Sequence, residues 1–131
     1  MNRPHDKSLS LVTVIITCYN SEKFIKQTID SALSQTYKNV DVIAVDDGST
    51  DTTRQILDSY QERIRVLEHP NGANRGQWAS ANLAMRQSGS DYVALLDHDD
   101  IWAPAKIERQ VNFLDGRPDV GLVYSNGYSI D

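Results

Sequence analysis

Three features of the sequence predict an α/β fold with a mostly parallel, Rossmann-like sheet and helices on both faces. β-branched apolar runs alternate with segments of helical periodicity. Three of those runs end in polar or acidic clusters, and no linker, internal repeat or low-complexity tract divides the chain. The runs are continuous rather than alternating, as strands buried on both faces require.

The elements follow in order. After a polar lead over residues 1–10, "LVTVIIT" is a first strand closing on "CYNS". "SEKFIKQTIDSALSQ" places Phe24, Ile25, Thr28, Ile29, Ala32 and Leu33 at helical spacing, with Ser21 as N-cap. "VDVIAV" is a second buried strand closing on "DDGSTD", where Ser49, Thr50 and Asp51 are helix-entry residues for "TRQILDSYQ". "RIRVLEH" is a short third strand, "NGANRG" a turn-rich loop and "QWASANLAMRQS" a helix. "YVALLD" is a fourth strand, "PAKIERQVNFLD" a helix with Pro104 in its first turn, and "VGLVYS" a final strand.

With 131 residues the chain is long enough for one domain with a real core. Hydrophobic residues at 40% and charged residues at 24% are ordinary for a globular protein. A net charge of −5 offers no basic field to a nucleic-acid backbone, which excludes that class of partner. The single cysteine, Cys18, precludes an intrachain disulfide and reads as a small buried hydrophobe near a strand end. The lead lacks the apolar stretch of a signal peptide and no apolar run approaches the ~18 residues of a membrane span, so a cytoplasmic chain without a membrane segment is expected.

In a parallel sheet, ligands bind beyond the carboxyl ends of the strands, close to the point where strand order reverses. "TCYN", "DDGSTD" and "DHDD" all fall at such ends and project from one edge. In "DHDD", Asp97 and Asp99 can turn towards one point, and oxygen-only ligation of that kind suits Mg²⁺ or Mn²⁺ bridging substrate phosphates. The alternative is a solvated acidic loop capping the helix at Pro104. An EF-hand is excluded because Ile101 and Trp102 stand where an oxygen ligand and the turn glycine belong. His98 is not needed as a ligand.

Asp46 and Asp47 close a buried strand, and a carboxylate there can accept a hydrogen bond from a nucleobase or a ribose; turn and capping chemistry is the competing account of that loop. The amides of "TCYN", through Asn20, and the Tyr19 ring can flank a base, or the ring can simply pack over the sheet edge. Gly72, Gly76 and Arg75 can approach a diphosphate, although a glycine-rich loop is more often only a turn. Trp78 is expected in the core, whereas Trp102 is open between core and sugar platform. His5 and His69 have no visible partner in the sequence and receive no role.

Taken together, "VTVIITCYNSEKFIKQTIDSALSQTYKNVDVIAVDDGSTDTT", "NRG", Asn82 in "ASAN" and "YVALLDHDDIWAP" resemble the N-terminal half of family-2 inverting glycosyltransferases with the GT-A fold. The resemblance covers residues 12 to about 125, with order and spacing both agreeing. It implies a nucleotide-diphosphosugar site, with UDP favoured. Thr17 and Tyr19 would contact the base, Asp47 with Asp46 would bind base or ribose, and Asp97 and Asp99 form the D-x-D, with Asp99 the direct ligand of Mn²⁺ or Mg²⁺. Thr17 replaces a common proline, and Ala81 stands where many members carry arginine, a contact for which Arg75 is the candidate substitute.

In the family the acceptor half, with the carboxylate that acts as general base, follows the D-x-D strand. Asp115, Asp119 and Asp131 lie in no matching context, so a donor half-site without its base is expected, inactive alone and prone to self-association through an uncovered sheet edge. A non-catalytic nucleotide-sugar binding module is the nearest alternative. A receiver domain fits poorly because the first strand ends in "TCYN" and no lysine follows Lys106. A haloacid-dehalogenase-type phosphatase would need its acidic motif on the first strand of its core.

Overall fold

A computed structural model describes residues 9–130. Four parallel strands, β1 (Val12–Cys18), β2 (Val40–Asp46), β3 (Arg65–Glu68) and β4 (Tyr92–Asp97), form one sheet in the order β3-β2-β1-β4. Helices α1 (Ile25–Leu33), α2 (Thr53–Asp58), α3 (Gln77–Gln87) and α4 (Lys106–Asp115) make up the covering layers. The chain grows outward from β1 to β3 and then crosses back to lay β4 on the other side of β1. Strand order therefore reverses between β1 and β4.

Alternation along the strands sorts the core into two layers. Val14, Ile16 and Cys18 of β1 pack with Val42 and Ala44 of β2 against Ile25, Ile29 and Leu57 of α1 and α2. Val12 continues that face to Tyr37 and to Ile107 and Val111 of α4. On the opposite face Ile15, Ile43 and Val45 meet Ala84 of α3. Over β1 and β2 both faces are covered, as the continuous apolar runs require.

Three expectations are corrected. Ser21 does not cap α1, which starts at Ile25. Its carbonyl accepts the Phe24 and Ile25 amides, its own N–H donates to Thr53 Oγ1 (2.7 Å), and its hydroxyl is buried without a partner. Trp78 is not core: it is 71% exposed, whereas Trp102 packs against the core with Lys106 Nζ 4.2 Å above its ring. Residues 120–125 form no strand. After α4 a turn in which the Val120 N–H donates to the Arg117 carbonyl (3.0 Å) diverts the chain, and Leu122 and Tyr124 are 75% and 83% exposed. A strand exists only where a neighbouring ladder accepts its amides, and this segment meets none.

β4 is consequently an edge, and α3 lies over β1 and β2 rather than over it. Val93 and Leu95 remain half-exposed on that face. His5 and Asp131 fall outside the described residues. Among the described residues no helix is long and apolar enough to cross a membrane.

Candidate functional site

Sheet register sets the level of the strand ends. Thr17 stands beside Val45 on one side and Asp97 on the other, and Cys18 stands beside Asp46. Beyond this edge, at the reversal between β1 and β4, lies a cleft of about 400 Å³. Thr17, Cys18 and Tyr19 line it from β1, Asp47 from β2, Asp97, His98 and Asp99 from β4, and Asn74, Gly76 and Gln77 from the entry to α3. Asn20, Asp46 and Arg75 are not among its lining residues.

The chain after β2 is organised around its own carboxylates. Asp46 and Asp47 are 5% and 4% exposed. Asp46 Oδ1 accepts the Ser49 amide (3.0 Å), closing the turn that Gly48 makes at φ 78°. A Cβ at Gly48 would meet the Gly72 carbonyl oxygen at 2.8 Å and the Asn74 amide nitrogen at 2.9 Å, so only glycine admits the 72–74 backbone there. Asp47 Oδ1 and Oδ2 accept the amides of Arg75 (2.7 Å) and Gly76 (2.9 Å). Asn20, at φ 48°, ties the end of β1 to this turn: its N–H donates to Ser49 Oγ (3.0 Å) and its Oδ1 accepts the Thr50 amide (2.8 Å).

Asp51 accepts the Thr53 amide (2.9 Å) and the Glu22 amide (3.2 Å). Burial raises its pKa, but hydrogen bonds from the Thr53 hydroxyl and from backbone amides outweigh this and hold the group below the ordinary carboxylate range. Cys18 is buried, and desolvation, then the charge of Asp46, pushes its thiol far above the ordinary range. It is an inert packing residue of the cleft floor.

The acidic run after β4 is arranged differently. Asp97, Asp99 and Asp100 are exposed. Asp97 Oδ1 accepts Gln77 Nε2 (3.1 Å), while the carboxylates of Asp99 and Asp100 have no hydrogen-bond partner among the described residues. Partial burial, then the charges of Asp97 and Asp99, raise the Asp100 pKa. Among the described residues no group of three or more His, Cys, Asp or Glu could hold a metal ion on its own. Asp97, with a single contact, and Asp99, with none among the described residues, nevertheless line the cleft and fit a Mg²⁺- or Mn²⁺-type ion that takes its other ligands from phosphates and water.

Asn74 and Gln77 line the cleft without a signal in the sequence, where the glycines and arginine are the conspicuous features of their loop. Contrary to the sequence reading, His69 has a partner: it is 6% exposed with Nε2 at 2.9 Å from Ser80 Oγ. The available signal was positional: Glu68 pairs with Asp46, so the next residue along leaves the sheet beside Asp47. Ala81 is buried, so it packs α3 rather than facing the cleft.

A doubly wound parallel sheet with an acidic cleft at its reversal defines the class: a Rossmann-like α/β protein, a fold whose ligands bind at the strand ends. Residues 13–130 match the Glycosyl transferase family 2 model. A UDP-Glc:alpha-D-GlcNAc-diphosphoundecaprenol beta-1,3-glucosyltransferase of Escherichia coli is 38% identical over 92% of this chain and 47% of its own length. An uncharacterised glycosyltransferase of Rickettsia prowazekii is 38% identical over 92% of this chain and 37% of its own.

Among solved structures, S. aureus TarS 1-349 in complex with UDP-GlcNAc superposes with a TM-score of 0.74 at 29% identity, covering 82% of this chain and 32% of that one. The mannosyltransferase PcManGT from Pyrobaculum calidifontis, in complex with GDP-Man and Mn²⁺, gives a TM-score of 0.75 at 27% identity, covering 82% and 33%. The chain therefore belongs to glycosyltransferase family 2, and its sheet is the GT-A type. It spans less than half the length of these relatives.

Proposed function

We propose that this chain forms the donor half-site of an inverting glycosyltransferase, one that transfers a sugar from a nucleoside-diphosphate sugar to an acceptor hydroxyl. The observation that carries the reading is the convergence of three strand ends, through Thr17 and Tyr19, Asp47, and Asp97 and Asp99, on one cleft. UDP is the favoured nucleotide, supported by the UDP-Glc named for the E. coli relative and the UDP-GlcNAc bound by TarS.

Thr17 and Tyr19 flank the base, and Asp47 presents its remaining lone pairs to base or ribose. Asn20 and Asp46 act from behind by holding the turn that carries Asp47. Arg75 is exposed at the entry to α3, and its guanidinium can swing onto the diphosphate. Asp97 and Asp99 would hold Mn²⁺ or Mg²⁺, with Asp99 the direct ligand. Such an ion would supply Lewis-acid stabilisation of the departing nucleoside diphosphate.

The general base for the acceptor hydroxyl is proposed to come from outside the described residues. Asp115 is unsuited to that role: it accepts the Tyr92 hydroxyl (2.7 Å) at the amino end of β4, the opposite end of that strand from Asp97. Such a base must lie within hydrogen-bond reach of the attacking oxygen.

Calorimetric titration with UDP, with and without Mn²⁺, tests the reading against Asp99→Ala. Binding that strengthens with Mn²⁺ and loses that increment in the variant is the expected result. Binding indifferent to both metal and variant would make "DHDD" a charged loop and remove the metal from the account.

A further inference from the structure

His69 has no place in the reading above, and among the described residues it is the one buried histidine, set behind the cleft wall. It leaves the end of β3, and its Nε2 lies 2.9 Å from Ser80 Oγ and 3.6 Å from Asp47 Oδ1. His69, Asp47 and Ser80 are 6%, 4% and 0% exposed, so each depends on its protein partners for its polar contacts. Ser80 belongs to the first turn of α3, where its amide donates to the Gly76 carbonyl (3.1 Å). Asp47 accepts the amides of Arg75 and Gly76, immediately before that turn.

The three groups thus clamp the start of α3 from two sides, and no side chain caps that helix. On the cleft side of the same turn, Gln77 Nε2 donates to Asp97 Oδ1. A shift of the turn that broke the Ser80 contact would carry Gln77 with it. Because Asp97 has no other side-chain partner among the described residues, its carboxylate would lose the contact that orients it.

We propose that His69 is a positioning residue of the donor site, acting through Ser80 and Asp47 on the first turn of α3 and through Gln77 on Asp97. It touches neither donor nor metal. Its role in binding rests on the proposed function, whereas its role in holding the 74–77 wall does not. The two are therefore read separately.

The test compares the 131-residue chain with His69→Ala, Ser80→Ala and His69→Gln, the last of which keeps a polar nitrogen or oxygen near the place of Nε2. Amide hydrogen exchange is followed by NMR in the free proteins. His69→Ala and Ser80→Ala should speed exchange at Arg75 and Gly76 by roughly tenfold or more while the β1 and β2 amides stay protected, and His69→Gln should restore protection. Where the wild-type chain binds UDP, His69→Ala should also lower the Mn²⁺-dependent increment of affinity by about tenfold, with the metal-free affinity less affected and His69→Gln again recovering it.

Unchanged exchange at Arg75 and Gly76 overturns the proposal. So does acceleration spread equally over β1 and β2, which marks a general loss of stability. If the wild-type chain binds no UDP, the functional reading fails by itself and the exchange measurement still decides the role of His69.

Discussion

Two acidic clusters lie at strand ends on either side of β1, and their carboxylates are used in opposite ways. After β2, Asp46, Asp47 and Asp51 turn inward, and each accepts one or two backbone amides. After β4, Asp97, Asp99 and Asp100 stay outward, with one side-chain contact between them and the other described residues. The difference lies in the turns. Gly48 permits a left-handed turn that aims the Ser49 amide at Asp46 and brings the 72–76 backbone against Asp47, whereas the chain after β4 closes on itself through the Asp100 N–H and the Asp97 carbonyl. A carboxylate that already holds amides builds the wall of the site. One that holds nothing is available to a ligand and meanwhile repels its neighbours.

That contrast makes its strongest prediction at Asp47. Asp47→Ala leaves two amides without their charged acceptor in a largely buried setting, and hydrogen bonds to charged groups are worth more than ordinary ones. Urea denaturation should show a loss on the order of 2–3 kcal/mol. Asp99→Ala, with no partner among the described residues to lose, should stay within about 0.5 kcal/mol of the wild type while abolishing metal-dependent nucleotide binding. Equal stability losses at the two positions would erase the distinction between the clusters.

Asp51 should fall between them. It caps the entry to α2 through the Thr53 amide and steadies the segment before α1 through the Glu22 amide. Asp51→Ala should cost about 1 kcal/mol, the usual size of a lost cap, in the same denaturation series. A loss as large as that of Asp47→Ala would mean that exposure matters less here than the number of amides held.

Much of this arrangement is legible in the sequence, and the part that is not has a common cause. Parallel topology fixes every strand's carboxyl end at one edge, so continuous runs such as "LVTVIIT" and "VDVIAV" are enough to bring Thr17, Asp47 and Asp97 together. Which carboxylate faces in and which out depends on backbone from elsewhere: Asp47 is held by Arg75 and Gly76, 28 and 29 positions away. His69 reads as unpartnered because Ser80 lies on another element, 11 positions on. "VGLVYS" has strand composition, but strand formation is a property of a pair. Trp78 looks like core by residue type, yet it sits on a part of α3 that no other element covers.

The smallest effect is the most discriminating, because the two clusters differ in its sign. Hydrogen bonding depresses the Asp51 pKa in the folded state, so its contribution to stability is full above the ordinary carboxylate pKa and is lost as pH falls through the lower, folded value. Partial burial and the neighbouring charges raise the Asp100 pKa, so the folded state carries a penalty above that raised value, and the penalty disappears as pH falls to the ordinary carboxylate range. Urea midpoints measured across pH should therefore show Asp51→Asn destabilising at neutral pH and Asp100→Asn slightly stabilising there, with both differences shrinking in acid. Mn²⁺ should enlarge neither difference if it binds through Asp97 and Asp99 only together with a diphosphate. A destabilising Asp100→Asn at neutral pH would mean that the cluster after β4 is internally satisfied after all, and the case for a cation site there would lose its physical ground.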